Sequence, residues 1–217
     1  PDAAITPWRS EKNTNWEGAY RVPCFVRWPG QFEAGRTLTG IMSHQEWLPT
    51  LLAAAGEPEI VEKLQAGYDA GDKRFKVKID GFNALPYLTG EVDESPRKWF
   101  FYTSDDGLIT AIRYGDWKAV FYEQRATRMQ LWAEPFVPLR MPKIFNLRRD
   151  PFERADENAN SYWDWLLEHV FVIYPMQALA AEQLQSFREF PPRQKPAAFN
   201  LDSILASMDD ATGGGLR

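Results

Sequence analysis

The 217-residue chain is poor in the residues that most often carry metal or thiol chemistry: it has one cysteine, Cys24, and two histidines, His44 and His169. A lone cysteine closes no internal disulfide, and these three residues cannot supply a Cys/His zinc site of the usual spacing. Basic charge is also short. With 25 Lys and Arg against 30 Asp and Glu, a net charge of −5 and a pI near 5.2, there is no broad positive surface to draw in a phosphate backbone, so nucleic acid is excluded as a partner. No stretch reaches the roughly 20 apolar residues that a membrane-spanning helix requires, and no membrane partner is expected. Internal repeats are absent. The opening residues, PDAAITPWRS, lack an initiator Met, a basic n-region and an apolar h-region. The start therefore reads as a cut, and the compartment stays open.

What is present suits a globular protein of one or two domains, since 44% hydrophobic and 14% aromatic content can bury a sizeable core. The run VPCFVRW at 22–28, closed by Pro29 and Gly30, has the pattern of a strand buried in a sheet, with Cys24 inside it. SHQEWLPTLLAAAGEP at 43–58 reads as a helix with Ser43 as N-cap, Pro49 near its first turn and Gly56 at its end. A strand followed by a helix belongs to an α/β layer. In KRFKVKID, Phe75, Val77 and Ile79 alternate with lysines as in a half-exposed strand. DGFNALPYLTG holds one short apolar turn of helix, too brief to stand alone.

From Trp99 the texture changes. WFFYTS, LITAIRY and WKAVFYE are β-rich and separated by DDG and GD turns, which predicts an antiparallel meander. A fourth run, KIFNL, follows a Pro-containing insertion at 125–142. RRDPFERADEN then leads into a helical stretch over 161–190, with a break expected at Pro175. Its acids, Asp150, Glu153, Asp156 and Glu157, have no EF-hand spacing and read as an Asp-Pro turn before a helix. The fold expected is α/β with an α+β C-terminal subdomain, a small antiparallel sheet packed on a helix. The boundaries expected are 1–95, 96–190 and an extended arm over 191–217.

The segment EKNTNWEGAYRVP at 11–23 carries a lysine between turn formers, then an acid–glycine pair and an arginine. Read alone it is a solvated turn, with Lys12 in water and Glu17 paired to Arg21. A loop just before a buried strand is also where α/β proteins place ligand-binding groups. The ordered blocks EKNTNWEGAYRVPCFVRWPG, SHQEWLPTLLAAAG, DGFNALPYLTG, AIRYGDWKAV and FNLRRDPFER resemble the C-terminal part of the sulfatase family, in the alkaline phosphatase superfamily. The family block G-x-K-x-[ST]-x-[YW]-E-G-G-x-R-x-P is matched at Lys12, Thr14, Trp16, Glu17, Gly18, Arg21 and Pro23. It is departed from at Ser10 and Ala19, where glycine is usual. Glu46 stands where the family more often has Asp.

The resemblance implies hydrolysis of sulfate esters by a formylglycine nucleophile, made from the cysteine of C-x-P-x-R, together with a divalent cation, usually calcium. That equipment is expected upstream, so the chain by itself is expected to bind no metal or cofactor and to be inactive. Cys24, in CFVRW, does not fit the nucleophile motif. By the same resemblance Lys12 is the one catalytic group present, placing a fixed positive charge against the sulfate. His44, near a helix start, is a candidate substrate-binding residue beside a packing or capping role, and His169 reads as structural. The implied partners are a small sulfate ester or a sulfated glycan and the missing N-terminal sulfatase segment; a periplasmic or secreted location is favoured. Two other readings share the residues: a non-catalytic binding or assembly module, and a phosphate or phosphonate ester hydrolase of the same superfamily.

Overall fold

The computed structural model describes residues 7–191. The arm expected over 191–217 thus lies, from 192 onward, outside the described residues. The elements run α1 (Glu17–Tyr20), α2 (Trp47–Ala54), α3 (Ile60–Ala66), the hairpin β1 (Tyr68–Ala70) and β2 (Lys73–Phe75), and α4 (Leu85–Thr89). The strands β3 (Trp99–Thr103), β4 (Ile109–Tyr114), β5 (Trp117–Glu123) and β6 (Val137–Asn146) come next, then α5 (Ala155–Asn158), α6 (Tyr162–Glu168) and α7 (Ile173–Glu189). The meander is an antiparallel sheet in the order β3-β4-β5-β6, with the tight turns where DDG and GD stand in the sequence.

Both faces of this sheet are covered, and its register shows by what. Cross-strand partners share a face, so Tyr102, Ala111 and Val120 lie on one side with Arg113, Lys118 and Phe145. Phe101, Ile112, Ala119 and Ile144 point to the other. The second face meets the helices: α7 packs on β4, and Trp165 of α6 stacks on Trp117 with ring centroids 6.0 Å apart. The first face is covered by residues 9–21, with Trp16 driven edge-on against Phe145 at 5.7 Å. A sheet buried on both sides reads as near-continuous apolar runs, which is why WFFYT and ITAI show no clean alternation.

The first part of the chain is organised by one buried acid. Ser43 caps the helix start as expected, and Glu46 completes a capping box: its Oε2 accepts from the Ser43 backbone N–H at 2.6 Å and hydroxyl at 2.9 Å. Glutamate is the residue this geometry needs, because the same carboxylate also accepts from Arg97 Nε at 2.8 Å. Arg97 in turn donates to the Asp80 carbonyl at 2.7 Å, so the helix start, the irregular stretch at 80 and the approach to β3 are fastened at one point. Gly81 passes so close to the Gln45 carbonyl that a Cβ there would overlap it.

Three local expectations are corrected. No strand forms over 22–28: among the described residues no segment pairs with it, and Phe25 is 94% exposed. A buried strand needs partners for its N–H and C=O groups, and none is offered here. Cys24, expected to be buried with it, is exposed. Similarly, only Lys73–Phe75 of the lysine-alternating run is strand, paired with Tyr68–Ala70 across a turn at Gly71, and 76–80 is irregular. The helix break falls at 169–172, before Pro175: α6 ends at Glu168, a 3-10 turn spans Val170–Val172, and α7 begins at Ile173. Pro175 thereby sits in the first turn of α7, where its missing N–H interrupts no helical hydrogen bond.

Breaking the Glu46 hub tests this account of the first part. Arg97→Ala leaves a carboxylate buried without its cation and is expected to lower stability by about 3–5 kcal/mol in chemical denaturation. A loss below about 1 kcal/mol would show that the pair does not organise this region.

Candidate functional site

The segment 9–21 is bound to the sheet by charge. Lys118 of β5 is fully buried, with its ammonium 2.7 Å from Glu153 Oε1 and 3.2 Å from Glu17 Oε1. Glu17 also accepts from Arg21 Nε at 2.7 Å, lies 3.4 Å from Arg113 and takes a hydrogen bond from the Tyr102 hydroxyl. Glu153 Oε2 accepts from the Glu17 backbone N–H at 2.7 Å. A second group adjoins the first through Arg9, which donates to the Glu153 carbonyl at 2.7 Å and pairs with Asp156 at 2.8 Å and Glu157 at 3.0 Å. Lys143 links Asp156 to Glu123 at 2.7 and 2.8 Å. Between the two groups lies Trp16, with the Arg9 guanidinium 3.7 Å from its ring centroid.

The two buried carboxyls are driven in opposite directions. Burial by itself raises Glu17, but Lys118, the Tyr102 hydroxyl, Arg113 and Arg21 together lower it from the ordinary 4.5 to about 2. Burial raises Glu153 as well, and there the opposing pull of Lys118 is not enough, since the Glu17 charge adds to the rise. Burial pushes the Tyr102 phenol well up, helped by Glu17 beside it, so the hydroxyl stays a donor.

Fixed in this way, the segment presents its polar tip at one end of the sheet. The β4–β5 ladder ends at Ala111 and Val120, and beyond it the Asn15 amide bridges the two strands, donating to the Tyr122 carbonyl at 2.6 Å and the Thr110 carbonyl at 3.4 Å. Thr14 closes the turn onto the Glu11 carbonyl through its hydroxyl at 2.7 Å. Lys12 stands exposed at the tip, flanked by Ser10 with φ 63° and Asn13 with φ 69°. Left-handed backbone costs a side chain about 1–2 kcal/mol. It explains physically why glycine suits position 10, whereas Ala19 lies in right-handed α1 and needs none. Gly18 has no such freedom to vary, for a Cβ there would overlap the carbonyls of Arg9 and Ser10.

Among the described residues no acid pairs with Lys12; its ammonium faces the Trp132 ring, 5.3 Å from the centroid. His44 is exposed at the start of the turn His44–Glu46, and no hydrogen bond, ion pair or ring contact joins it to Lys12. His169 is half-buried, its Nδ1 2.7 Å from the Trp165 carbonyl and its ring stacked on Trp165 at 4.4 Å. Glu153 stands in the turn that leads into α5, as the sequence predicts, with Asp156 and Glu157 inside that helix; the three are also acids of the ion network, Glu153 fully buried and Glu157 exposed. Sequence reasoning missed that, along with Asn15 and Lys118; an acid with φ 54° such as Glu153 leaves no signal in the chain itself.

A model of the C-terminal region of aryl-sulfatases matches residues 95–208, and a sulfatase model matches residues 4–57. This chain belongs to the sulfatase family. It is 30% identical to steryl-sulfatase of Mus musculus over 162 residues, covering 67% of this chain and 24% of that protein. With arylsulfatase A of Homo sapiens the identity is 31% over 156 residues, 67% of this chain and 27% of the relative. With arylsulfatase A of Bos taurus it is 30% over 188 residues, 82% and 32%. The chain thus spans about a quarter to a third of the length of these sulfatases. The crystal structure of the PsFucS1 sulfatase from Pseudoalteromonas sp. shares the fold, with a TM-score of 0.63 at 22% identity, over 87% of this chain and 34% of that one. At the level of the family, the reaction class is the hydrolysis of sulfate esters.

Two stability measurements test the site's construction. The stabilisation from Glu17 is complete above the unfolded value of 4.5 and is lost as pH falls from there to about 2. Glu17→Gln is therefore expected to cost about 3 kcal/mol near neutrality and to flatten the fall in stability across that window. An acid limb with unchanged slope would contradict the assignment. Ser10→Gly is expected to raise stability by about 1 kcal/mol in urea unfolding by relieving the left-handed backbone; a loss would show that Ser10 contributes more than strain.

Proposed function

We propose that this chain is the C-terminal portion of an arylsulfatase-like enzyme in which Lys12 supplies a fixed positive charge to the sulfate ester. The observation that carries this reading is the contrast at the tip of the segment 9–21: Arg9, Arg21, Arg113, Lys118 and Lys143 are all paired with acids, while Lys12 has none among the described residues. An ammonium with no acid partner among the described residues, on a loop anchored by buried ions, suits an anionic ligand.

In sulfate ester cleavage negative charge moves onto the bridging oxygen as the ester bond breaks. A unit charge about 4 Å away, at an effective dielectric near 20, interacts by about 4 kcal/mol. Lys12 would hold the sulfate oxygens and stabilise that charge as it develops. The leaving group belongs to a small sulfate ester or a sulfated glycan. His44, exposed at the start of the His44–Glu46 turn, is proposed as a second contact, to the leaving group.

A divalent cation such as calcium does not fit the described residues. Among them no group of three His, Cys, Asp or Glu could hold a metal ion, and the acids that do cluster are neutralised by Lys and Arg. Cys24, exposed within CFVRW, has no C-x-P-x-R context for formylglycine. The cation and the nucleophile are accordingly assigned to a preceding sulfatase segment, and the exposed Val22, Phe25, Val26 and Trp28 suit a stretch that this segment would cover. A periplasmic or secreted setting goes with that assignment, as does a division of the chain near residue 95.

Kinetics on the enzyme that includes that segment test the reading. Lys12→Ala is expected to lower kcat for a chromogenic aryl sulfate by about 100-fold or more, with thermal stability unchanged, because an exposed lysine contributes little to folding. Wild-type turnover by Lys12→Ala would overturn the assignment.

A further inference from the structure

The insertion between β5 and β6 stands against the Lys12 loop, and its construction gives it a purpose. Gln124, buried at its base, donates to the Glu134 carbonyl at 2.7 Å and accepts from the Ala126 N–H at 2.9 Å, closing residues 124–134 into a compact loop. The 3-10 turn Arg128–Trp132 at its crest is anchored inward by buried Leu131. It is tied to the lysine loop directly, as the Arg128 N–H donates to Glu11 Oε1 at 3.1 Å, with Arg128 in left-handed backbone at φ 57°. Lys12 follows Glu11 directly, and Trp132, four residues after Arg128, is 60% exposed with its ring centroid 5.3 Å from the Lys12 ammonium. A largely exposed tryptophan beside a cation with no acid partner among the described residues is suited to a flat group attached to an anion.

We propose that Trp132 is a specificity-determining residue: its exposed ring stacks on the aromatic ring of the phenol portion of the ester whose sulfate Lys12 contacts. This rests on the assignment of Lys12 above. The indole presents a π-face large enough for an offset aromatic stack, and such pairs contribute roughly a two- to tenfold preference over an aliphatic partner of similar size. The sulfate meets the ammonium while the aryl ring continues onto the indole that already borders it, so charge and ring are read by adjacent residues of two different loops.

The test uses the enzyme that includes the preceding segment, with an aryl sulfate and a linear alkyl sulfate of equal carbon number, each as substrate or, where it is not turned over, as competitive inhibitor. Trp132→Ala and Trp132→Leu are expected to raise KM or Ki for the aryl ester about two- to tenfold and to leave the alkyl ester and inorganic sulfate inhibition within twofold; Trp132→Phe restores the wild-type preference. Leu preserves apolar bulk, so a melting temperature equal to wild type for that variant separates loss of stacking from loss of fold. An equal loss on both esters, or none on either, overturns the inference. The Lys12→Ala arm distinguishes the two assignments. Lost turnover there with an unchanged aryl preference in Trp132→Ala removes Trp132 alone, and retained turnover in Lys12→Ala removes both.

Discussion

A single ammonium, that of Lys118, sits with no exposure between the carboxylates of Glu17 and Glu153. Desolvating it costs several kcal/mol, offset only because two acids and the faces of Tyr102 and Trp16 surround it. The three residues come from the first position of α1, from β5 within the sheet and from the turn before α5. Removing any one strands a charge in the interior, so the three regions are held in one arrangement or not at all. Burial of ions is weak evidence for stability but a strong constraint on geometry, and geometry is what a loop carrying a binding group requires.

Everything at the polar end of the sheet follows from that constraint. With Glu17 fixed, Trp16 is set against Phe145, and Asn15 reaches the open end of the β4–β5 ladder. The tip bearing Lys12 can then be held in backbone conformations, at Ser10 and Asn13, that a free loop would abandon. The charge balance works in the same direction. Acids pair with Arg9, Arg21 and Lys118 at the base of the segment, while Lys12, with no acid partner among the described residues, stands at its tip beside an aromatic ring.

Much of the C-terminal sheet was legible in the sequence, because DDG and GD between β-branched and aromatic runs leave few alternatives to a meander. The capped helix after Ser43 was legible for the same local reason, down to Gly56. Failures occurred where an element depends on something distant. The run at 22–28 has a strand's composition, but a strand is made by its partners. Pro175 looked like a break because proline is judged by its neighbours, whereas the chain had already turned at His169 and placed it in a first turn. The ion network was invisible for a simpler reason: Glu17, Lys118 and Glu153 are far apart in sequence, and each alone reads as a solvated charge. Only Glu17–Arg21, four residues apart, carried a local signal, and it is present at 2.7 Å. Lys12 itself was singled out by family likeness, since spacing gave it no distinction from any other turn lysine.

Native-state hydrogen exchange tests the central claim most directly. If buried ions weld the segment to the sheet, the Glu17 N–H, bonded to Glu153, and the Gly18 N–H, bonded to the Arg9 carbonyl at 2.9 Å, should open only with the sheet. Their exchange free energies would then match those of the Ala119 and Val120 amides in β5. Exchange of Glu17 and Gly18 at the rate of an exposed loop, while Ala119 and Val120 stay protected, would mean that the segment detaches on its own and that the placement of Lys12 is not built into the fold.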